Sequence, residues 1–236
     1  MMKSPVNIHL QPHVRERQWC DNEIPVLEMK LSLPHCAALD RHTRRINRYY
    51  ESFERSCEHY AAHFLFPAAK EAFTVAAAEN HPAPLFRFHV TFVTHLLCDT
   101  LWSLTLETEE QTGSTSYRCR YADTWDLTNG YLLSLPELFP AEPLYRRRLR
   151  QCAREDLLRR QAEGIALHEN WQRRLSSAWN RENFYLTVAG LHWFYPMYAL
   201  GGAEMGIPSF FLPWNQDENP FTPLMSLDKA NSADIS

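Results

Sequence analysis

Glycine is scarce in this chain, with seven in 236 residues. No G-x-G-x-x-G turn for a dinucleotide occurs, no phosphate-cradling P-loop, and no G-x-S-x-G elbow for a serine nucleophile. The H-E-x-x-H helix of a zinc protease and the C-x-x-C pair of a metal or redox site are missing too. The first thirty residues hold no apolar run long enough for an export signal or a membrane span, and Pro5, Pro12, Pro25 and several charges break them up. As written, the chain is expected to be soluble and cytoplasmic, its six scattered cysteines reduced and mostly buried. Positive charge is not in excess: the net charge is −4, so no global field draws in nucleic acid or an anionic membrane, and neither is expected as a partner.

What the chain does have is material for a core. Hydrophobic residues make up 45% and aromatics 13%, and large aromatics at alternating positions point to a sheet with one buried face. The length suits one large domain or two small interlocked ones.

Val14–Cys20 and Val26–Leu33 read as two strands around the turn Asp21-Asn22-Glu23, with Pro34 ending the second. The period then changes. Ile46, Tyr50, Phe53, Cys57, Tyr60 and Phe64 fall on one helical stripe, and Pro67 should kink or divide that helix. Period-2 segments return at Phe86–Phe92, Trp102–Leu106 and Tyr117–Tyr121, an antiparallel meander with one face packed and one more polar. Thr128-Asn129-Gly130 supplies the positive φ of a tight turn. Glu142 and Pro143 suit a helix start. Leu149, Ala153 and Leu157 mark the buried stripe of an arginine-rich helix, and a short helix follows over Trp171–Trp179. Asn183–Val188 and Leu191–Tyr195 frame a strand pair, Met197–Gly206 a loop, and the polar tail from Asn215 is expected to be disordered. The fold class is α+β: an antiparallel sheet packed against a long N-terminal helix and an Arg-rich C-terminal helix. Residues 12–83 form the N-terminal hairpin and helix, 84–214 the sheet and helix domain, and 215–236 the tail.

The order of signals in the second part is specific. "WDLTNGYLLSLPELF" precedes the basic helix, and "NFYLTVAGLHWFYPMYALGGAEMGIPSFFLPW" closes the domain. This resembles the domain of unknown function catalogued as 3298, the C-terminal domain of RsiV-type anti-sigma factors. The resemblance rests on Asp126, Leu127, Gly130, Leu135, Leu138, Phe139, Phe184 to Thr187, Gly190, Leu191, Phe194, Tyr195, Tyr198, Gly206, Ile207 and Pro208. The N-terminal "VLEMKLSLPHC … INRYYESF" is similar to domain 4163, which accompanies it and also occurs in a peptidoglycan deacetylase of PdaC type. Family members often carry Gly-Gly-Ala-His in the loop where this chain has Glu110-Gln111-Thr112-Gly113-Ser114. The resemblance implies a non-catalytic binding or sensing module for a protein or a cell-wall-related ligand, with lysozyme the ligand of the anti-sigma factor. The alternative it implies is an enzyme acting on cell-wall carbohydrate, a deacetylase or hydrolase.

Candidate chemistry is thin. His59 and His63 lie four apart, so both imidazoles can face one metal, but nothing nominates a third ligand and the bland reading is structural. Glu109 and Glu110 adjoin on a strand and point to opposite faces, which spoils a shared glycosidase site. Arg146–Arg160 is read as a solvated face balanced by Glu142, Glu155, Asp156 and Glu163, against a reading as a nucleic-acid surface. No catalytic residue and no cofactor is assigned. Asp126 and Gly130 are read as a structural turn. The loop with Tyr198, Gly201, Gly202, Glu204 and Met205 is the candidate surface for a protein partner or ligand; a Gly-rich connection packed on the sheet is an equal reading.

Overall fold

The computed structural model describes residues 10–37, 40–139 and 144–214. Glu142, Pro143 and the tail from Asn215 lie outside the described residues. In chain order the elements are β1 (Leu10–Asp21), β2 (Ile24–Cys36), α1 (Arg41–Tyr60), α2 (Phe66–Ala78), β3 (Phe86–Leu97), β4 (Leu101–Thr112), β5 (Thr115–Asp126), β6 (Tyr131–Leu132), α3 (Tyr145–Ala162), α4 (Trp171–Ser177), β7 (Phe184–Thr187), β8 (Gly190–Phe194) and β9 (Ser209–Pro213). Strands β1 to β6 lie side by side in that order in one sheet, and β7-β8-β9 form a second. The fold is α+β with antiparallel pairing dominant. Phe184–Thr187 and Gly190–Phe194 pair with each other and, through β8, with β9.

Among the described residues the chain divides into two compact units, one of residues 10–92 with 106–119, the other of 93–105 with 120–214. In the first, β1 and β2 pair around Asn22 and Glu23, both at positive φ (48° and 67°), which matches the twist of a two-residue hairpin. Pro34 does not end β2. It sits opposite Pro12, and two residues without N–H groups fit a non-hydrogen-bonded pair. The other edge of β2 meets β3 only over Leu27–Leu31, so the ladder to β3 loses nothing at Pro34. That pairing is parallel, because α1 and α2 supply the long crossover a parallel pair needs.

The Asp40 carboxylate caps α1, accepting the N–H groups of His42 and Thr43 at 2.7 Å each. Asn47 ties the helix to the end of β2 by accepting from Cys36 N–H (2.9 Å) and donating to its carbonyl (3.0 Å). Ile46, Tyr50 and Cys57 are buried as their spacing predicts. The stripe then breaks. Ala61–Leu65 wind as a π-helix, with Phe66 N–H reaching back five residues to Ala61 just before Pro67, which has no N–H to give. The added residue rotates the buried face to Ala61, Leu65 and Ala69, leaving Tyr60 and Phe64 37% and 61% exposed. Their expected burial is therefore corrected.

The second unit is built around Leu101, Leu149, Ala153, Leu157, Leu191 and Trp193. β4 is buried on both faces from Leu101 to Thr105, where the meander pattern predicts a more polar face. The reason is Ser103, whose Oγ accepts the N–H of Leu186 in β7 (2.8 Å) and pairs with Thr124 Oγ1 (2.8 Å). A further correction concerns β5: Tyr117 and Tyr121 are exposed, and Asp123, Thr124 and Trp125 are the buried residues.

Candidate functional site

The Asp126–Gly130 turn is held by its own residues. Asp126 Oδ1 accepts from Thr128 N–H (2.8 Å) and Oγ1 (2.6 Å), and Oδ2 accepts from Asn129 Nδ2 (2.6 Å). Gly130, at φ 71°, donates to the Asp126 carbonyl at 2.8 Å. Ser134 and Glu137 then form a capping box around the 3-10 turn Leu135–Leu138, and Leu135, Leu138 and Phe139 enter the core of the second unit.

The Met197–Gly206 loop is held from outside. Tyr198 stands at φ 63°, a left-handed conformation that costs a non-glycine residue about 1–3 kcal/mol. Its carbonyl is bonded by His168 Nε2 (3.0 Å) and by Arg174 Nη1 (3.3 Å), and Arg174 also reaches the Ala199 carbonyl (3.3 Å). Ala199, Leu200 and Gly201 are buried, and Gly201 bridges to Leu167. A Cβ on Gly201 would come within 2.8 Å of the Ala166 carbonyl oxygen, so the residue marks a close backbone approach. That approach and the bridge to Leu167 fix it in place. Glu204 is exposed on the one 3-10 turn of the loop, with Met205 half-buried beside it, and the Tyr198 side chain stands 41% exposed. Tyr198, Glu204 and Met205 thus lie on one loop whose backbone is held from outside. His168 and Arg174, which build that frame, carry no local signal in the sequence: they act across 30 and 24 residues.

His59 and His63 lie in the other unit, exposed, with ring centroids 4.3 Å apart. Among the described residues, no group of three or more His, Cys, Asp or Glu is placed to hold a metal. Glu109 and Glu110 take separate partners. Arg118 and Ser116 bond Glu109, and the hydrogen bond from Arg118 holds its carboxyl below the usual range; Glu110 accepts the Tyr60 hydroxyl (2.8 Å). All six cysteines are free thiols, but only Cys36 and Cys57 are buried; burial pushes them up to about 11 and about 12.

A feature without sequence forewarning is a run of rings in the second unit. His95 stacks on Tyr185 (4.1 Å), Tyr185 on His192 (4.7 Å), and His192 leans on Phe211 (4.6 Å). Burial, with the Arg120 charge adding to it, lowers the His192 pKa, so the imidazole resists protonation. Arg120 itself bonds Ser209 Oγ (3.0 Å) and lies over the Phe194 ring.

Residues 137–215 match the family model described as "Protein of unknown function (DUF3298)". The match begins at the capping-box glutamate and runs through α3, α4 and the second sheet. The Asp126–Gly130 turn precedes it. A crystal structure of a DUF3298 family member from Bacteroides fragilis NCTC 9343 is similar at a TM-score of 0.67 and 16% identity, covering 94% of this chain and 98% of that one. A DUF3298 family protein from Pseudomonas aeruginosa PAO1 is similar at 0.58 and 14%, covering 89% and 92%. These likenesses establish a shared fold along nearly the full length. No curated protein matches the chain. Among the described residues, no helix is long and apolar enough to cross a membrane.

Proposed function

We propose that the protein is a non-catalytic recognition module, with the Met197–Gly206 loop as its contact surface and a protein as its ligand, in the manner of RsiV-type domains. The observation that carries this reading is Tyr198: an exposed aromatic ring on a backbone held at φ 63° by two long-range bonds to its carbonyl. Strain of that kind persists only where surrounding structure enforces it. A rigid frame lowers the ordering cost of binding, and tyrosine is among the residues that dominate interface energetics. On the same loop Glu204 adds a charge and Met205 an adaptable apolar contact.

Lysozyme is the first ligand to try, since the RsiV-type resemblance implies it. Calorimetric titration of the full chain with lysozyme is expected to give a stoichiometric complex. Tyr198→Ala/Glu204→Ala should weaken it by about tenfold or more, a hot-spot loss of at least ~1.4 kcal/mol. His59→Ala/His63→Ala, with folding checked first, should leave it unchanged. Loss of binding in the histidine variant alone would reject the loop as the contact surface.

A further inference from the structure

The first half of α3 places like charges where helix electrostatics disfavours them. Arg146, Arg147 and Arg148 occupy the first turns of an 18-residue helix whose first turn has no acidic residue and whose N-cap, Leu144, offers no side-chain acceptor. That end carries the positive pole of the helix dipole, and cations there are unfavourable. Arg147, Arg150 and Arg154 are spaced three and four apart, so each neighbouring pair repels along one face. Local conflicts of this sort concentrate at functional sites.

The same face borders a groove. Arg147, Arg150, Gln151 and Arg154 from α3 and Gln172 and Ser176 from α4 line an open cavity of about 310 Å³. Among the described residues no carboxylate lines it. Arg150 donates to a neutral acceptor, Ser176 Oγ, at 3.0 Å. Glu155 is turned to Gln151, whose Nε2 donates to it at 2.7 Å. Among the described residues, Arg147 and Arg154 have no ion-pair partner, whereas Arg159 and Arg160 are both bridged by Asp156. The groove therefore offers three guanidinium groups, with amide and hydroxyl donors between them.

We propose that this groove binds a small anion carrying two or more phosphoryl groups. Arg147 and Arg154 are separated by two helical turns, about 10 Å of rise. Linked phosphoryl groups match that span better than a single tetrahedral oxyanion. Guanidinium forks match phosphoryl oxygens in paired hydrogen bonds, and a phosphoryl group brings more charge per group than a carboxylate. Three arginines on a chain of net charge −4 make too short a basic track for a nucleic-acid backbone. The groove shares no lining residue with the loop surface proposed above, and the proposal does not depend on it.

The test is calorimetric titration of the full chain with pyrophosphate at low salt, beside citrate and a single-stranded oligonucleotide. One pyrophosphate should bind per chain with a Kd below about 1 mM. Arg147→Gln/Arg154→Gln should weaken it at least about tenfold. Arg44→Gln/Arg48→Gln, which removes two exposed charges from α1, should not change it. The groove variant should also keep or raise its Tm, because it relieves like-charge repulsion; this separates lost binding from lost folding. No saturation with millimolar pyrophosphate, equal weakening in both double variants, or binding of citrate or the oligonucleotide at least as tight as pyrophosphate would each overturn the proposal.

Discussion

The Asp126–Gly130 turn and the Met197–Gly206 loop lie in the same compact unit and both place a residue at positive φ, yet they are held differently. Asp126 satisfies its turn with donors two to four residues away. The later loop depends on His168 and Arg174 for its carbonyls and on Ala166 and Leu167 for its close approach. A locally held turn can change with little consequence elsewhere. A loop held by distant groups is coupled to the core that positions them.

The largest expected effect tests that coupling. Gly201→Val should destabilise the protein by about 3 kcal/mol or more, because the new Cβ meets the Ala166 carbonyl and the backbone, unlike a side-chain tip, cannot step aside. Urea unfolding should show a lower midpoint with an unchanged slope, and amide exchange should rise at Leu200 and Leu167 together. A variant of wild-type stability would mean that the loop is free of the core after all.

Gly130→Val should cost less, about 2 kcal/mol, from forcing a β-branched residue to φ 71°. Faster exchange should stay near the turn, at Thr128 and Gly130. If it spread to Leu167 and Leu200 as in the Gly201 variant, the two connections would belong to one cooperative unit and the contrast between them would fail.

The same contrast explains what could be read in advance. Asp126, Thr128, Asn129 and Gly130 are adjacent and interact with one another, so their chemistry predicts their geometry. The hairpin at Asn22-Glu23 and the stripe through Ile46, Tyr50 and Cys57 are legible for the same reason. Failures begin where a distant segment decides. Gly201 and Gly202 look alike in sequence, but only Gly201 meets the backbone of Ala166, 35 residues earlier. Ser103 reads as a solvent-facing strand residue until the Leu186 N–H covers it. Phe64 continues a perfect stripe, and the π turn that exposes it follows from a proline three residues later. The Met197–Gly206 segment was legible as a loop, and the groups that hold it were not. His168 and Arg174 are ordinary polar residues until the chain folds back on them.

Tyr198→Gly is expected to have the smallest effect and an opposite sign. Glycine adopts φ 63° without penalty, which relieves about 1–3 kcal/mol, while its greater freedom in the unfolded chain returns roughly 0.5–1 kcal/mol of that. The bonds from His168 and Arg174 end on the backbone carbonyl, so they survive the substitution. Stability should rise by about 1 kcal/mol, read as a higher urea midpoint at constant slope. Lysozyme binding, if the loop is the contact surface, should fall in the same variant. A more stable protein that no longer binds would place the tyrosine ring in recognition and the strain in holding it out. A loss of more than about 1 kcal/mol would instead make the ring a packing group, since surface substitutions away from such packing rarely exceed half of that.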